Sequence, residues 1–257
     1  MASSHRLKLA YGLAFLILLL SLATNIVLGK ALYEAFAKIQ FGRIFPLGYI
    51  PEDRPLSNSS AHGPSISFWG DSRALLWDKS ALTDILTVHD YTHGGITSSQ
   101  LLLQLRTQPT VRTDYAVVQI GINDLHPLGA LGPYNEQIRD QLKNNVLSVR
   151  DALLERSKVI VLTTLFPPGH VPLSRRLAWD PATLQYVHEV NEVLNQTTDG
   201  RRVVLLDAYT LLSGADSYLA DQFIDSDFFL HVNREAYSRL NARLRQIVLE
   251  YQPLPHN

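Results

Sequence analysis

"ISFWGDSRALLW", residues 66–77, decides how the rest of the chain is read. An apolar, β-prone run breaks off at Gly70-Asp71-Ser72, and a second apolar segment starts at once. As a strand, a turn and a helix, this stretch sets one hydroxyl at the carboxyl end of a strand. It also aims first-turn N–H groups at whatever lies there. Taken alone, Gly-Asp-Ser is no more than what a helix start requires, since Asp or Ser caps orphan N–H groups. What matters is whether the chain repeats the pattern, and it does. Further apolar runs occur at 86–92 ("LTVHDYT"), 115–121 ("YAVVQIG"), 158–165 ("KVIVLTTL") and 202–208 ("RVVLLDA"). "YAVVQI" and "VIVL" are almost unbroken in apolar residues, as strands covered on both faces must be. Helical spacing fills the gaps: Ile138, Leu142, Val146, Val149 and Leu153 recur at steps of three and four within 134–156. Tyr237, Leu240, Leu244, Ile247 and Val248 do the same within 233–251. Strand and helix in alternation imply a parallel five-stranded sheet with helices on both faces. In such sheets ligands sit beyond the carboxyl ends of the strands.

The 257 residues hold one generous α/β domain or two small ones. The formal net charge of −1 and the lack of a long basic stripe argue against nucleic acid as a partner. With no cysteine, disulfides, thiolate metal sites and a Cys nucleophile are excluded. After a short tail (1–8), residues 9–29 read "LAYGLAFLILLLSLATNIVLG" without a charge. A helix over that run is about 30 Å long, the thickness of a bilayer's hydrocarbon core. It reads as an uncleaved transmembrane signal anchor. The alternative is a signal peptide cut after Ala35-Phe36-Ala37, but that triplet lies well past the end of the run. Lys and Arg are nearly balanced across the span, so an extracytoplasmic domain is favoured only because short-tailed anchors usually export the domain they carry. Residues 30–64 read as a juxtamembrane helix and a Pro/Ser-rich linker or extended wrap, and 65–257 as the globular domain.

Three further motifs fall at strand ends or in the terminal loop. "YTHGGITSSQLL" places Gly94 and Gly95 after the second strand, either as a plain turn or as bare backbone N–H for an anion. "QIGINDLHP" places Asn123 and Asp124 after the third, as turn residues or with the Asn123 amide aimed at an oxyanion. "IDSDFFLHVNREAY" places His231 just before the last helix, with Asp225 and Asp227 upstream. Each is weak alone. In this order they resemble the SGNH family, the GDSL-type serine esterases and lipases, over roughly residues 65–250. The resemblance implies a flavodoxin-like three-layer α/β/α sandwich and a serine hydrolase without metal or organic cofactor. It implies Ser72 as nucleophile and His231 as general base, oriented by an upstream Asp. Ser72 N–H, Gly95 and Asn123 would form the oxyanion hole. Substrates would be small-molecule, lipid or polysaccharide esters.

Two departures from the family pattern matter. The family usually writes its last block Asp-x-x-His, but here Phe228 stands three before His231 and Asp227 four before. Asp227, Asp225, or a Ser–His dyad oriented by a backbone carbonyl therefore remain open. A catalytically impaired module for carbohydrate binding or envelope assembly is the alternative this displacement keeps alive. The second departure is Arg73, where the family has Leu. It is expected to pair with a surface acid such as Asp78, or to reach an anionic substrate group. Trp69 and Trp77 read as packing around the first strand and helix, with Trp69 near enough to line a pocket. Residues 166–179, the longest loop after a strand, read as a substrate wall.

Overall fold

The computed structural model describes residues 2–45, 56–58, 63–107, 111–225 and 229–251. They form two compact units, Met1–Phe41 and Gly42–Asn257. The first is carried by helix α1 (Ala2–Ile44), whose stretch Ala10–Ile44 is long and apolar enough to cross a membrane. Its most apolar window has a mean hydropathy of 2.2 and is not covered by protein.

The second unit is built on a sheet of order β1-β3-β2-β4-β5-β6. Five parallel strands form it: β2 (Ser65–Gly70), β3 (Thr87–Thr92), β4 (Thr113–Gln119), β5 (Ser157–Thr163) and β6 (Val203–Leu206). These are the five runs read from the sequence. A sixth strand, β1 (Leu56–Asn58), lies antiparallel against β3. It falls in the stretch read as a linker or wrap, and three residues are too few to show a period-two pattern. Because β1 covers the outer side of β3, that edge presents fewer unpaired backbone groups.

Between the strands lie α2 (Ser72–Leu75), α3 (Ser98–Thr107), α4 (Ile122–Leu125), α5 (Asn135–Leu154), α6 (Thr183–Gln196), α7 (Ala208–Leu212) and α8 (Arg234–Glu250). Side chains alternate across the strands. Ile66, Phe68, Tyr115, Val117, Val159, Val161, Val204 and Leu206 face one core. Ala236, Tyr237, Leu240, Leu244, Ile247 and Val248 of α8 close it. Each such side chain contributes about 1.5–3 kcal/mol by leaving water. The opposite face is covered by α5, which contacts β5, α3 and α6. Its buried residues are the five that recur at helical spacing: Ile138, Leu142, Val146, Val149 and Leu153.

From β2 the chain steps sideways to β3, then crosses to β4 on the other side of β2. That reversal opens a crevice between the loops leaving β2 and β4, where open α/β sheets hold their ligands. Ser72 and Asn123 stand at its two lips.

Candidate active site

The first lip is set by Gly70. Its φ of +138° is closed to side-chain-bearing residues, and an ideal Cβ there would lie 1.8 Å from the carbonyl oxygen of Gln119. Glycine thus lets β2 end against β4, and the Asp71 N–H donates to that same Gln119 oxygen at 3.1 Å. Asp71 then caps α2, accepting from the Arg73 N–H at 2.9 Å. Ser72 is the first residue of the helix. Its Oγ lies 3.2 Å from Nε2 of His231, 159 residues further along the chain.

His231 is held from several sides. Ile224 and Val232 form an antiparallel bridge, and the Asp225 N–H donates to the His231 carbonyl at 3.4 Å. Asn233 caps α8 by accepting from the Ala236 N–H at 3.2 Å, and its amide donates to the Gln222 carbonyl at 2.7 Å. Asp227 lies outside the described residues.

Arg73 does neither thing expected of it. It is fully buried, stacks over Phe166, and spends its guanidinium on main-chain carbonyls. Nε donates to Leu230 at 2.6 Å, Nη1 to Phe166 at 2.8 Å and Nη2 to Pro167 at 3.5 Å. Its own carbonyl accepts from the Tyr237 hydroxyl at 2.9 Å. The residue after Ser72 is thereby fastened to the loop leaving β5, to the residue before His231 and to α8. Burial lowers the guanidinium pKa to about 10, which leaves it charged at neutral pH.

The second strand tip joins the same crevice. The His93 N–H donates to the Gly70 carbonyl at 2.9 Å, and a Cβ on Gly94 would touch Leu75 of α2. Gly95 comes next with φ +72°, a left-handed conformation that favours glycine. Thr97 and Gln100 start α3 with a reciprocal capping box: the Thr97 N–H donates to Gln100 Oε1 at 3.0 Å and the Gln100 N–H to Thr97 Oγ1 at 3.4 Å.

The third tip turns at Gly121 into α4. Asn123 Nδ2 donates to the Ile96 carbonyl at 3.0 Å, which ties it to the Gly95 loop. Asp124, read from the sequence as a turn residue, is a buried clamp between the tips of β3 and β4. It accepts from the Ser98 N–H at 2.9 Å and from Ser98 Oγ at 2.6 Å. Among the described residues, the second N–H of the Asn123 amide and the backbone N–H groups of Ser72 and Gly95 make no hydrogen bond. The structure therefore brings Ser72, His231, Gly95 and Asn123 to one crevice.

Trp69 is not a pocket residue. It is buried, stacks on Tyr91 at 4.3 Å and donates to Ser67 Oγ at 2.9 Å. The loop 166–179 is pinned at its start, where the Gly169 N–H donates to the Phe229 carbonyl at 2.8 Å. Further on it is open, with Leu173 and Leu177 exposed.

Two buried carboxyls at the strand tips, Asp71 and Asp124, are strongly perturbed. Burial pushes Asp71 up from 3.8 to about 7, partly offset by the Arg73 cation. Burial likewise pushes Asp124 up to about 6 against the Ser98 hydrogen bonds. A carboxyl raised in the folded state keeps its proton where the unfolded chain has lost it. Asp71 therefore favours folding fully below about pH 4, and that contribution is lost as pH rises toward 7. Asp71→Asn keeps the capping oxygen and removes the titration. Urea midpoints at pH 5 and pH 7.5 should therefore differ less in this variant than in wild type. An equal difference would show that Asp71 does not titrate in this window.

An imidazole within reach of a serine hydroxyl, next to unpaired N–H donors at a helix start, is the arrangement that acyl transfer through a covalent intermediate needs. Comparison with known proteins agrees. A family model for the GDSL-like lipase/acylhydrolase family matches residues 58–239, and the chain belongs to that family of carboxylic ester hydrolases. No curated protein matches the sequence. Among solved structures, a GDSL-like lipase from Bacteroides thetaiotaomicron is similar at 19% identity and a TM-score of 0.58. That match covers 73% of this chain and 88% of the other. The acetylxylan esterase Axe2 from Geobacillus stearothermophilus is similar at 19% identity and a TM-score of 0.51, covering 72% and 94%. A lipase from a goat rumen metagenome gives 16% identity and a TM-score of 0.51, covering 71% and 96%. At these identities the solved structures speak for the fold.

Proposed function

We propose that this chain is a membrane-anchored serine esterase that removes O-acyl groups, acetyl or longer, from polysaccharide or lipid esters outside the cytoplasm. The observation that carries this reading is the 3.2 Å approach of His231 Nε2 to Ser72 Oγ at the carboxyl edge of the sheet. In this mechanism His231 takes the hydroxyl proton as Oγ attacks the ester carbonyl, forming a tetrahedral intermediate. The N–H groups of Ser72 and Gly95 and the Asn123 amide receive the developing oxyanion. Each such donor typically lowers the barrier by about 3 kcal/mol. The imidazolium then protonates the departing alcohol, the C–O bond breaks, and the acyl group remains on Ser72. Water, deprotonated by the same imidazole, repeats the attack and frees the acid. Asp227 is assigned as the carboxylate that orients the ring.

The apolar stretch within Ala10–Ile44 supports the anchor. Acetylated polysaccharide is suggested by the acetylxylan esterase with a related fold. The experiment is labelling with a fluorophosphonate, which reacts only with an activated serine. Wild type should be labelled at Ser72 and Ser72→Ala should not. An unlabelled, folded wild type would overturn the esterase reading in favour of the binding module that the displaced Asp227 suggests.

A further inference from the structure

The edge of the sheet away from Ser72 carries a cavity of about 320 Å³, near the lower bound for small-molecule sites, about 300 Å³. It gathers the first residues of β2, β4 and β5, namely Ser65, Thr113 and Ser157. The seven residues of β4 set it about 20 Å from the crevice at the carboxyl edge. Its charged lining is unbalanced: Arg112, Arg156, Lys158 and Arg202 stand against Asp114 and Glu155. Asp114 is already matched. Lys158 Nζ lies 2.8 Å from it, and the Ser65 N–H and hydroxyl donate to it at 2.8 and 3.0 Å. Arg202 gives its donors to carbonyls, Nε to Lys158 at 3.1 Å and Nη2 to Leu154 and Ser157 at 2.8 and 3.2 Å. Those acceptors are neutral, so its positive charge remains. The same contacts cover the last carbonyl of α5, which would otherwise repel an anion. Arg112 and Arg156 have neither kind of partner: among the described residues, no ion pair or side-chain hydrogen bond engages them. Arg156 Nη1 is moreover buried, and a buried cationic donor without a partner is costly. Glu155, the remaining acid, is exposed to water.

We propose that this cavity is a second ligand site, which binds a small soluble phosphate monoester through Arg112 and Arg156 in the field of Lys158 and Arg202. Four cations against two acids leave two positive charges, and a dianion neutralises both. Guanidinium forks match phosphate oxygens through paired N–H donors. The site takes no part in ester hydrolysis. A ligand there joins the starts of three neighbouring strands and stabilises the folded domain by mass action.

The test titrates the full chain in neutral detergent, by calorimetry at fixed ionic strength and slightly alkaline pH, with three probes. These are glycerol 3-phosphate, a dianion, dimethyl phosphate, a monoanion, and uncharged glycerol. Wild type should bind glycerol 3-phosphate and unfold at a higher temperature with it. Dimethyl phosphate should bind at least about tenfold more weakly, and glycerol should not bind. Arg112→Gln, at an exposed position, and Arg156→Gln should each weaken glycerol 3-phosphate by about 10- to 100-fold, the worth of one charge-assisted hydrogen bond. Ser72→Ala should bind as wild type does, so the outcome stands apart from the esterase reading. Neither heat nor a melting shift from wild type at millimolar glycerol 3-phosphate overturns the site, whether or not the variants fold. Equal affinity for dimethyl phosphate, or undiminished affinity in either arginine variant, overturns it as well.

Discussion

Replacing His231 by alanine is expected to lower kcat/KM for ester hydrolysis by about four to six orders of magnitude, with little change in folding stability. The size comes from the role assigned to the ring. Without a base 3.2 Å from Ser72 Oγ, the hydroxyl must attack with its proton still on, and the leaving alcohol departs without a proton donor. Residual catalysis would come from the N–H donors and from binding alone. Steady-state kinetics on purified protein checks this, with the urea midpoint as control for folding. A variant within tenfold of wild type would remove His231 from the chemistry. The same assay locates the orienting acid. Asp227→Asn should fall strongly while Asp225→Asn should not, and the reverse result would move the role to Asp225.

The second large effect is on stability. Arg73→Met should cost about 3–5 kcal/mol, because the carbonyls of Leu230, Phe166 and Pro167 lose their buried donor. A buried group left unsatisfied costs about 1–3 kcal/mol, a bond to a charged donor lies near the top of that range, and whole-protein stability is only about 5–15 kcal/mol. The variant also takes the cation from beside buried Asp71, which pushes that carboxyl higher still. Arg73→Lys should fall between, since one ammonium cannot follow the planar fork to carbonyls on two separate loops. Urea unfolding midpoints decide the matter, and an unchanged midpoint in Arg73→Met would show that the three carbonyl contacts hold nothing. Leucine, the usual residue here in the resembling family, would leave the same carbonyls bare. The loop leaving β5 and the His231 loop are therefore built around this arginine.

The sheet was legible because its strands are buried on both faces. Runs such as "YAVVQI" carry their own signal, and the helix faces of α5 and α8 carry theirs. The positions of Ser72, Gly95, Asn123 and His231 were legible because each sits where a strand ends or the last helix begins, and the topology brings those points together. Arg73 could not be read. A charged residue inside an apolar run gives no hint that its partners are carbonyls some 93 and 157 positions away. Asp124 hid for a similar reason, since Asn-Asp after a strand is what any turn would show, and its clamp on Ser98 exists only in three dimensions. Arg43 lies ahead of the linker, outside the stretch in which the sequence motifs fall. Only the fold shows its Nη2 3.0 Å from where a Cβ on Gly95 would lie.

The distance along the chain between Ser72 and His231 has a bearing on biosynthesis. As the polypeptide leaves the ribosome, the serine that the proposed mechanism makes the nucleophile emerges first, and the imidazole that activates it follows 159 residues later, ahead of the α8 side chains that close the core. A nascent or prematurely released chain therefore carries an unactivated serine. On that mechanism hydrolytic capacity waits for both segments, so synthesis that stops between them yields an inert product and never an uncontrolled one.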